Sequence, residues 1–111
     1  LLFDDLLKDV VEIEINDRSN HLKEVFHLYM FKAQKRDELY KYLRENGIDA
    51  KIHYPIPMHL QPAAKKFNYK KGDFPKAEFA ASSSISLPVH EFISEENVKK
   101  MATLIINFFT E

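Results

Sequence analysis

The stretch that most limits how this chain can fold is KIHYPIPMHLQP, residues 51–62. Pro55, Pro57 and Pro62 fall within eight residues of one another. Each proline fixes its own φ and pushes the residue before it towards extended geometry. A regular helix cannot run through such a segment, and a slack loop is disfavoured as well. What remains is an extended, pre-ordered arch carrying His53, Tyr54, His59 and Gln61. Two imidazoles, a phenol and an amide on a stiffened segment suit a functional edge, because their hydrogen-bonding groups are held still before a ligand arrives. A plainer reading has His53 and Tyr54 simply ending a strand and packing there. Composition alone leaves both open.

The chain on either side reads as alternating strands and helices. Leu2, Phe3, Leu6 and Leu7 share one helix face from the outset, as though the chain enters part-way along a helix of a longer protein. In VVEIEI, residues 10–15, Val11, Ile13 and Ile15 alternate with Glu12 and Glu14, the pattern of a half-buried strand. NDRSN, residues 16–20, is a polar turn. EVFHLYMFK follows, with Val25, His27, Tyr29 and Phe31 opposite Phe26, Leu28 and Met30. Apolar on both faces, it predicts a central strand covered on both sides, with His27 a packed core residue and the second face open to another domain or subunit.

Residues 35–46 have helical periodicity, with Leu39, Tyr42 and Leu43 inward and Lys35, Arg36, Lys41, Arg44 and Glu45 towards water. Gly47 suits the left-handed position that ends a helix, which pairs Ile48 with Leu43 in a Schellman motif. DAKIHY, residues 49–54, is a short strand, and QPAAKKF makes one or two helical turns with Pro62 early. After a turn at Gly72 and Asp73, Pro75 takes the first position of a helix in which Ala77, Ala80 and Ala81 permit close approach of another element. SISLP is a short extended piece ended by Pro88. Ser94 caps a final helix whose buried side is Val98, Met101, Ala102, Ile105, Phe108 and Phe109, and which should lie along the sheet. The whole is an α+β two-layer domain, a small and mostly antiparallel sheet packed with helices.

Several function classes drop out. The balance of 16 Lys and Arg against 17 Asp and Glu gives no single-signed surface for nucleic acid or an anionic membrane. KKFNYKK, residues 65–71, is the one basic and aromatic cluster, and it reads as a solvated helix end. Without cysteine there is no disulfide, thiolate metal site or cysteine nucleophile, in keeping with a cytoplasmic protein. No apolar run reaches membrane-spanning length and no signal peptide is evident. Two glycines cannot build a Gly-rich phosphate loop. His53 and His59 lack a third metal ligand at a characteristic spacing, and Ser82, Ser83, Ser84 and Ser86 lack a nucleophile elbow. Recognition of phosphate or sugar oxygens by the arch is what the residues leave standing.

Three stretches carry a family resemblance: VFHLYMF, then RDELYKYLRENGIDAKIHYPIPMHLQPA, then GDFPKAEFAASSSISLPVHEFISEENVKKM. In this order and spacing, over about residues 25 to 101, they resemble the C-terminal small domain of the pyridoxal-phosphate-dependent nucleotide-sugar aminotransferases. Ala64 stands where an aromatic is common, and Ser82 to Ser84 replace a more mixed tail. The resemblance implies an aspartate-aminotransferase-type small domain, residues 1–111 being a fragment of a longer chain. It implies transfer of an amino group, typically from glutamate, to a nucleotide-linked keto-sugar, within a homodimer or other homo-oligomer. The aldimine lysine and most cofactor contacts belong to the large domain of such enzymes, so pyridoxal phosphate is expected in the parent and not on this chain alone. His53, Tyr54, His59 and Gln61 become substrate-site candidates, with bracing of the turn the alternative role for Gln61. The competing expectation is a free-standing binding or dimerisation domain without catalysis. An uncovered apolar face is expected to drive self-association through Phe3, Leu6, Leu7 and one aromatic face of the central strand.

Overall fold

The computed structural model describes residues 2–16, 18, 28–89 and 93–110. Residues 24–27, including His27, and most of the NDRSN turn lie outside the described residues.

Strand chemistry sets the frame. β1 (Ile13–Ile15), β2 (Leu28–Ala33) and β3 (Ser84–Pro88) form an antiparallel sheet in the order β1-β2-β3. In the register, Tyr29 faces Leu87 and Phe31 faces Ile85, while Met30 faces Ser86 and Lys32 faces Ser84. Directly opposed residues share a face, so one sheet face is aromatic and aliphatic and the other is mixed. The apolar face is fully covered: Tyr29, Phe31, Ile85 and Leu87 join one core with residues from three helices. These helices are α1 (Leu2–Leu7), α2 (Arg36–Glu45) and α4 (Glu95–Thr110). The other face is only partly covered, by α3 (Pro75–Ser83) and by the proline arch. Met30 on that face is 38% exposed, so β2 is central but buried on one side rather than both.

The helices end where local chemistry says they should. Gly47 has φ +84°, Ile48 N–H donates to Leu43 C=O at 3.0 Å and Gly47 N–H to Arg44 C=O at 3.2 Å, which together are a Schellman motif. The Ser94 hydroxyl accepts from Asn97 N–H at 3.1 Å and caps α4. Val98, Met101, Ala102 and Ile105 of α4 are buried, and Phe108 and Phe109 pack partly buried on the same core.

Four expectations are corrected. Val11 lies in a turn before β1 and is 86% exposed, because pairing with β2 begins only at Ile13. The strand over DAKIHY shrinks to a single bridge, Lys51 to Ser86 across the outer side of β3. Phe3 and Leu7 are buried in the chain's own core, Phe3 stacked on Tyr29 at 4.6 Å between ring centroids. They are therefore no surface for self-association. Arg36 does not face water: it is 7% exposed, and its Nη1 donates to Ala81 C=O at 2.8 Å and Ser84 C=O at 2.9 Å. Those carbonyls belong to the end of α3 and the start of β3, which lack partners further along the helix. The guanidinium supplies them and so ties α2 to the α3–β3 junction.

A second polar tie joins α1 to the sheet. The Asp4 carboxylate accepts from Tyr29 Oη at 2.7 Å and from Arg18 Nε and Nη2 at 3.1 and 3.2 Å. Burial works to raise the Asp4 pKa, but the hydrogen bonds from Arg18 and Tyr29 and the Arg18 charge prevail and hold it below 3.8. Burial, and then Asp4 itself, pushes the Tyr29 phenol well above its ordinary value of 10.0.

Two outcomes follow from these ties. Arg36→Leu removes charged donors from two backbone carbonyls, and urea denaturation should show a loss of about 2–4 kcal/mol. Acid and alkali should both destabilise the fold. The Asp4 contribution is fully present above 3.8 and is lost as pH falls through its lowered folded value. The Tyr29 contribution is present below 10.0 and fades as pH rises beyond it. Tyr29→Phe should flatten the alkaline limb of a stability–pH curve and weaken the acid one.

Candidate functional site

The arch leaves the sheet at Lys51. Lys51 N–H donates to Ser86 C=O at 2.9 Å and Ser86 N–H to Lys51 C=O at 2.8 Å, which fixes the backbone two residues before His53. His53 Nδ1 then lies 3.3 Å from Ser86 Oγ, and Ser86 is 1% exposed. The imidazole is thus oriented by a buried hydroxyl on the open sheet face. Tyr54 follows, its ring edge-on to His53 at 5.5 Å and itself 71% exposed. Pro57 opens a short 3-10 turn, Met58–Leu60, closed by Leu60 N–H to Pro57 C=O at 2.9 Å. Gln61 Nε2 donates back to Ile56 C=O at 3.1 Å, so this amide does brace the arch. Pro62 starts a second 3-10 helix, Pro62–Phe67, which supplies the helical turns expected there.

Arch, open sheet face and α3 enclose a cleft of about 700 Å³. His53, Tyr54 and Gln61 line it, with Met30 and Ser84 from the sheet and Ala77, Ala80 and Ala81 from α3. The three alanines let the helix stand close enough to form a wall without filling the space. Ile56, Met58 and Phe67 rim the same cleft and are 47%, 85% and 59% exposed. It is an apolar hollow with a few polar groups held on one edge, the general design of small-molecule sites.

His59 goes elsewhere. It is 8% exposed, its ring 4.8 Å from that of Phe74, with Nε2 3.2 Å from Glu78 Oε2. It lines a neighbouring pocket of about 360 Å³ with Phe67, Tyr69 and Phe74. Of the four residues named from sequence, the structure brings His53, Tyr54 and Gln61 to one cleft and turns His59 beneath the arch. Glu78, Ser86 and Met30 were not among the site candidates, Ser86 having been weighed only as a nucleophile and Met30 only as part of the central strand. Glu78 carried a usable signal: an acidic residue in the first turn of a helix reaches back to the N–H groups before it. Ser86 and Met30 carried none, since only the strand register places them under the arch. No cluster of three or more potential metal ligands occurs among the described residues.

Against known proteins, residues 1–105 match the model of the DegT/DnrJ/EryC1/StrS aminotransferase family. The chain belongs to that family. It is 42% identical over 85 residues to the pleiotropic regulatory protein of Geobacillus stearothermophilus, covering 77% of this chain and 23% of that protein. It is also 42% identical over 65 residues to the dTDP-3-amino-3,4,6-trideoxy-alpha-D-glucose transaminase of Streptomyces venezuelae, covering 59% and 17%. Among solved structures, that of S. venezuelae DesV in complex with a ketimine intermediate superposes with a TM-score of 0.89 at 27% identity, over 96% of this chain and 29% of DesV. A family member from Brucella abortus gives 0.84 at 29% identity, over 96% and 28%. The chain therefore spans about a quarter of the length of its relatives, as one subdomain of the aminotransferase fold.

Pyridoxal phosphate serves this aminotransferase family. The described lining of the cleft offers neither a lysine to hold it covalently nor a carboxylate to pair with its ring nitrogen. These residues do not fit the cofactor by themselves.

Ser86→Ala should leave the fold within about 1.5 kcal/mol of the parent. It should shift and broaden the side-chain NMR signals of His53 while leaving those of His59 in place.

Proposed function

We propose that this chain is the C-terminal small domain of a cytoplasmic aminotransferase that moves an amino group from glutamate to a nucleotide-linked keto-sugar. The reading rests on one observation above others: in a chain of this family, the proline arch holds His53, Tyr54 and Gln61 on the edge of a preformed cleft. An imidazole, a phenol and an amide are suited to phosphate and sugar oxygens, and the apolar wall of Met30 and the α3 alanines to the face of a sugar or base. On this reading the chain orients substrate and shields it from water. The cofactor, and the lysine and carboxylate it requires, sit on the remainder of the longer protein, so the chain alone transfers no amino group. His59 serves the site from below, by fixing the arch.

In a longer protein containing this chain, His53→Ala and Tyr54→Phe should each weaken nucleotide-sugar binding about tenfold or more, the effect of losing a hydrogen bond to a charged phosphate. The absorbance of the bound cofactor should be unchanged. Normal substrate affinity combined with a lower denaturation midpoint would return both residues to a purely structural role.

The exposed Ile56, Met58 and Phe67 favour a second reading, a free-standing binding or dimerisation module. Sedimentation separates the two for the 111-residue chain: concentration-dependent dimers that Met58→Ser abolishes support association through the cleft rim, and a monomer at high concentration removes it.

A further inference from the structure

The group most tightly networked outside the cleft is the Glu78 carboxylate. Its two oxygens accept from Gly72 N–H, each at 2.8 Å, and Oε2 also accepts from Phe74 N–H at 3.2 Å. Oε2 then meets His59 Nε2 at 3.2 Å. Gly72 holds φ +98°, a conformation in which its N–H is free to turn back towards the helix that follows. One side chain on α3 therefore grips two separate segments: the turn at residues 72–74, and the arch through His59. His59 is in turn wedged between Phe74 and Tyr69, at 4.8 and 6.5 Å between ring centroids. The backbone donor at Gly72, then those at Phe74 and His59 working against some burial, keep the carboxyl below its ordinary value of 4.5. It is an acceptor across the neutral range.

We propose that Glu78 is a positioning residue, a latch that holds the proline arch over the cleft by gripping His59 and the 72–74 turn at once. The chemistry fixes the protonation of the partner. A carboxylate can only accept, so the proton on His59 resides at Nε2. Proline stiffens the arch along its length, but nothing in proline chemistry sets the height of the arch above α3. The His59–Glu78 contact spans that gap, 19 residues apart in sequence. A glutamine amide is a weaker latch on both segments: it lacks the negative charge that strengthens each of these contacts, and its NH2 group offers Gly72 N–H a donor where the carboxylate offered a second acceptor. The latch stands on contacts within this chain and does not depend on which substrate the cleft takes.

The test is side-chain and backbone NMR on the 111-residue chain, with amide exchange read at Leu60 and Gln61 in the arch and at Gly72 and Phe74 in the turn. In the parent chain, neutral His59 should carry its proton on Nε2. In Glu78→Gln, amide exchange should accelerate about tenfold in both segments together, the scale of a lost charge-assisted hydrogen bond. An effect confined to Gly72 and Phe74 would make Glu78 a helix cap only and overturn the proposal, as would a parent His59 protonated on Nδ1. If Glu78→Gln does not fold, His59→Leu decides. Loss of protection at Leu60 and Gln61 with Gly72 and Phe74 unchanged supports the latch, and unchanged arch amides refute it. Failure of the latch would leave the effects of His53 and Tyr54 variants on substrate untouched, so the two readings fall separately.

Discussion

The pairing of β2 with β3 is the constraint on which the rest of the molecule depends. Side chains alternate along a strand, so a register that sets Tyr29 against Leu87 also sets Met30 against Ser86. The first pair goes into the core with three helices. The second goes to the face where the arch and α3 make a cleft. A slip of one residue would exchange these faces, turning two aromatic rings out of the core and a lysine into it. Core and cleft are therefore two consequences of one hydrogen-bonding pattern.

Polar contacts then fix how the layers sit on that sheet. Arg36 joins α2 to the end of α3, Asp4 joins α1 to Tyr29, and Glu78 joins α3 to the arch. Arg36 is itself buried and Asp4 bonds the buried Tyr29, so a partner lost there is costly because water does not fully replace it, while Glu78 lies further out, beside His59 and Phe74. Hydrophobic burial brings these elements together without specifying their relative orientation, and directional bonds supply what burial lacks. The cleft inherits its shape from both. Its apolar wall comes from sheet and helix, and its polar edge from an arch anchored at Lys51 and Ser86 on one side and at His59 on the other.

By itself, the sequence determined the features governed by neighbours along the chain. The Schellman end of α2, the Ser94 cap, the proline start of α3, the stiffness of the arch and the buried stripe of α4 all arise from residues within a few positions of each other. Local chemistry is enough to specify them, whereas from sequence both faces of β2 read as covered, and only the register set Tyr29 and Phe31 in the core and Met30 on the open face. The α+β class followed from their order. Tertiary structure decided whatever depends on residues far apart. Arg36 is buried although it opens a helix on an otherwise polar face, because carbonyls 45 and 48 residues away need its donors. A cation at a helix start is opposed by the helix dipole, a faint sign that it serves another element. Val11 continues the alternation of β1 and yet is exposed, because β2 pairs no further than Ile13. Of two histidines on one rigid arch, His53 meets Ser86 on the cleft side and His59 turns under to Glu78, a difference that only the placement of β3 and α3 could set.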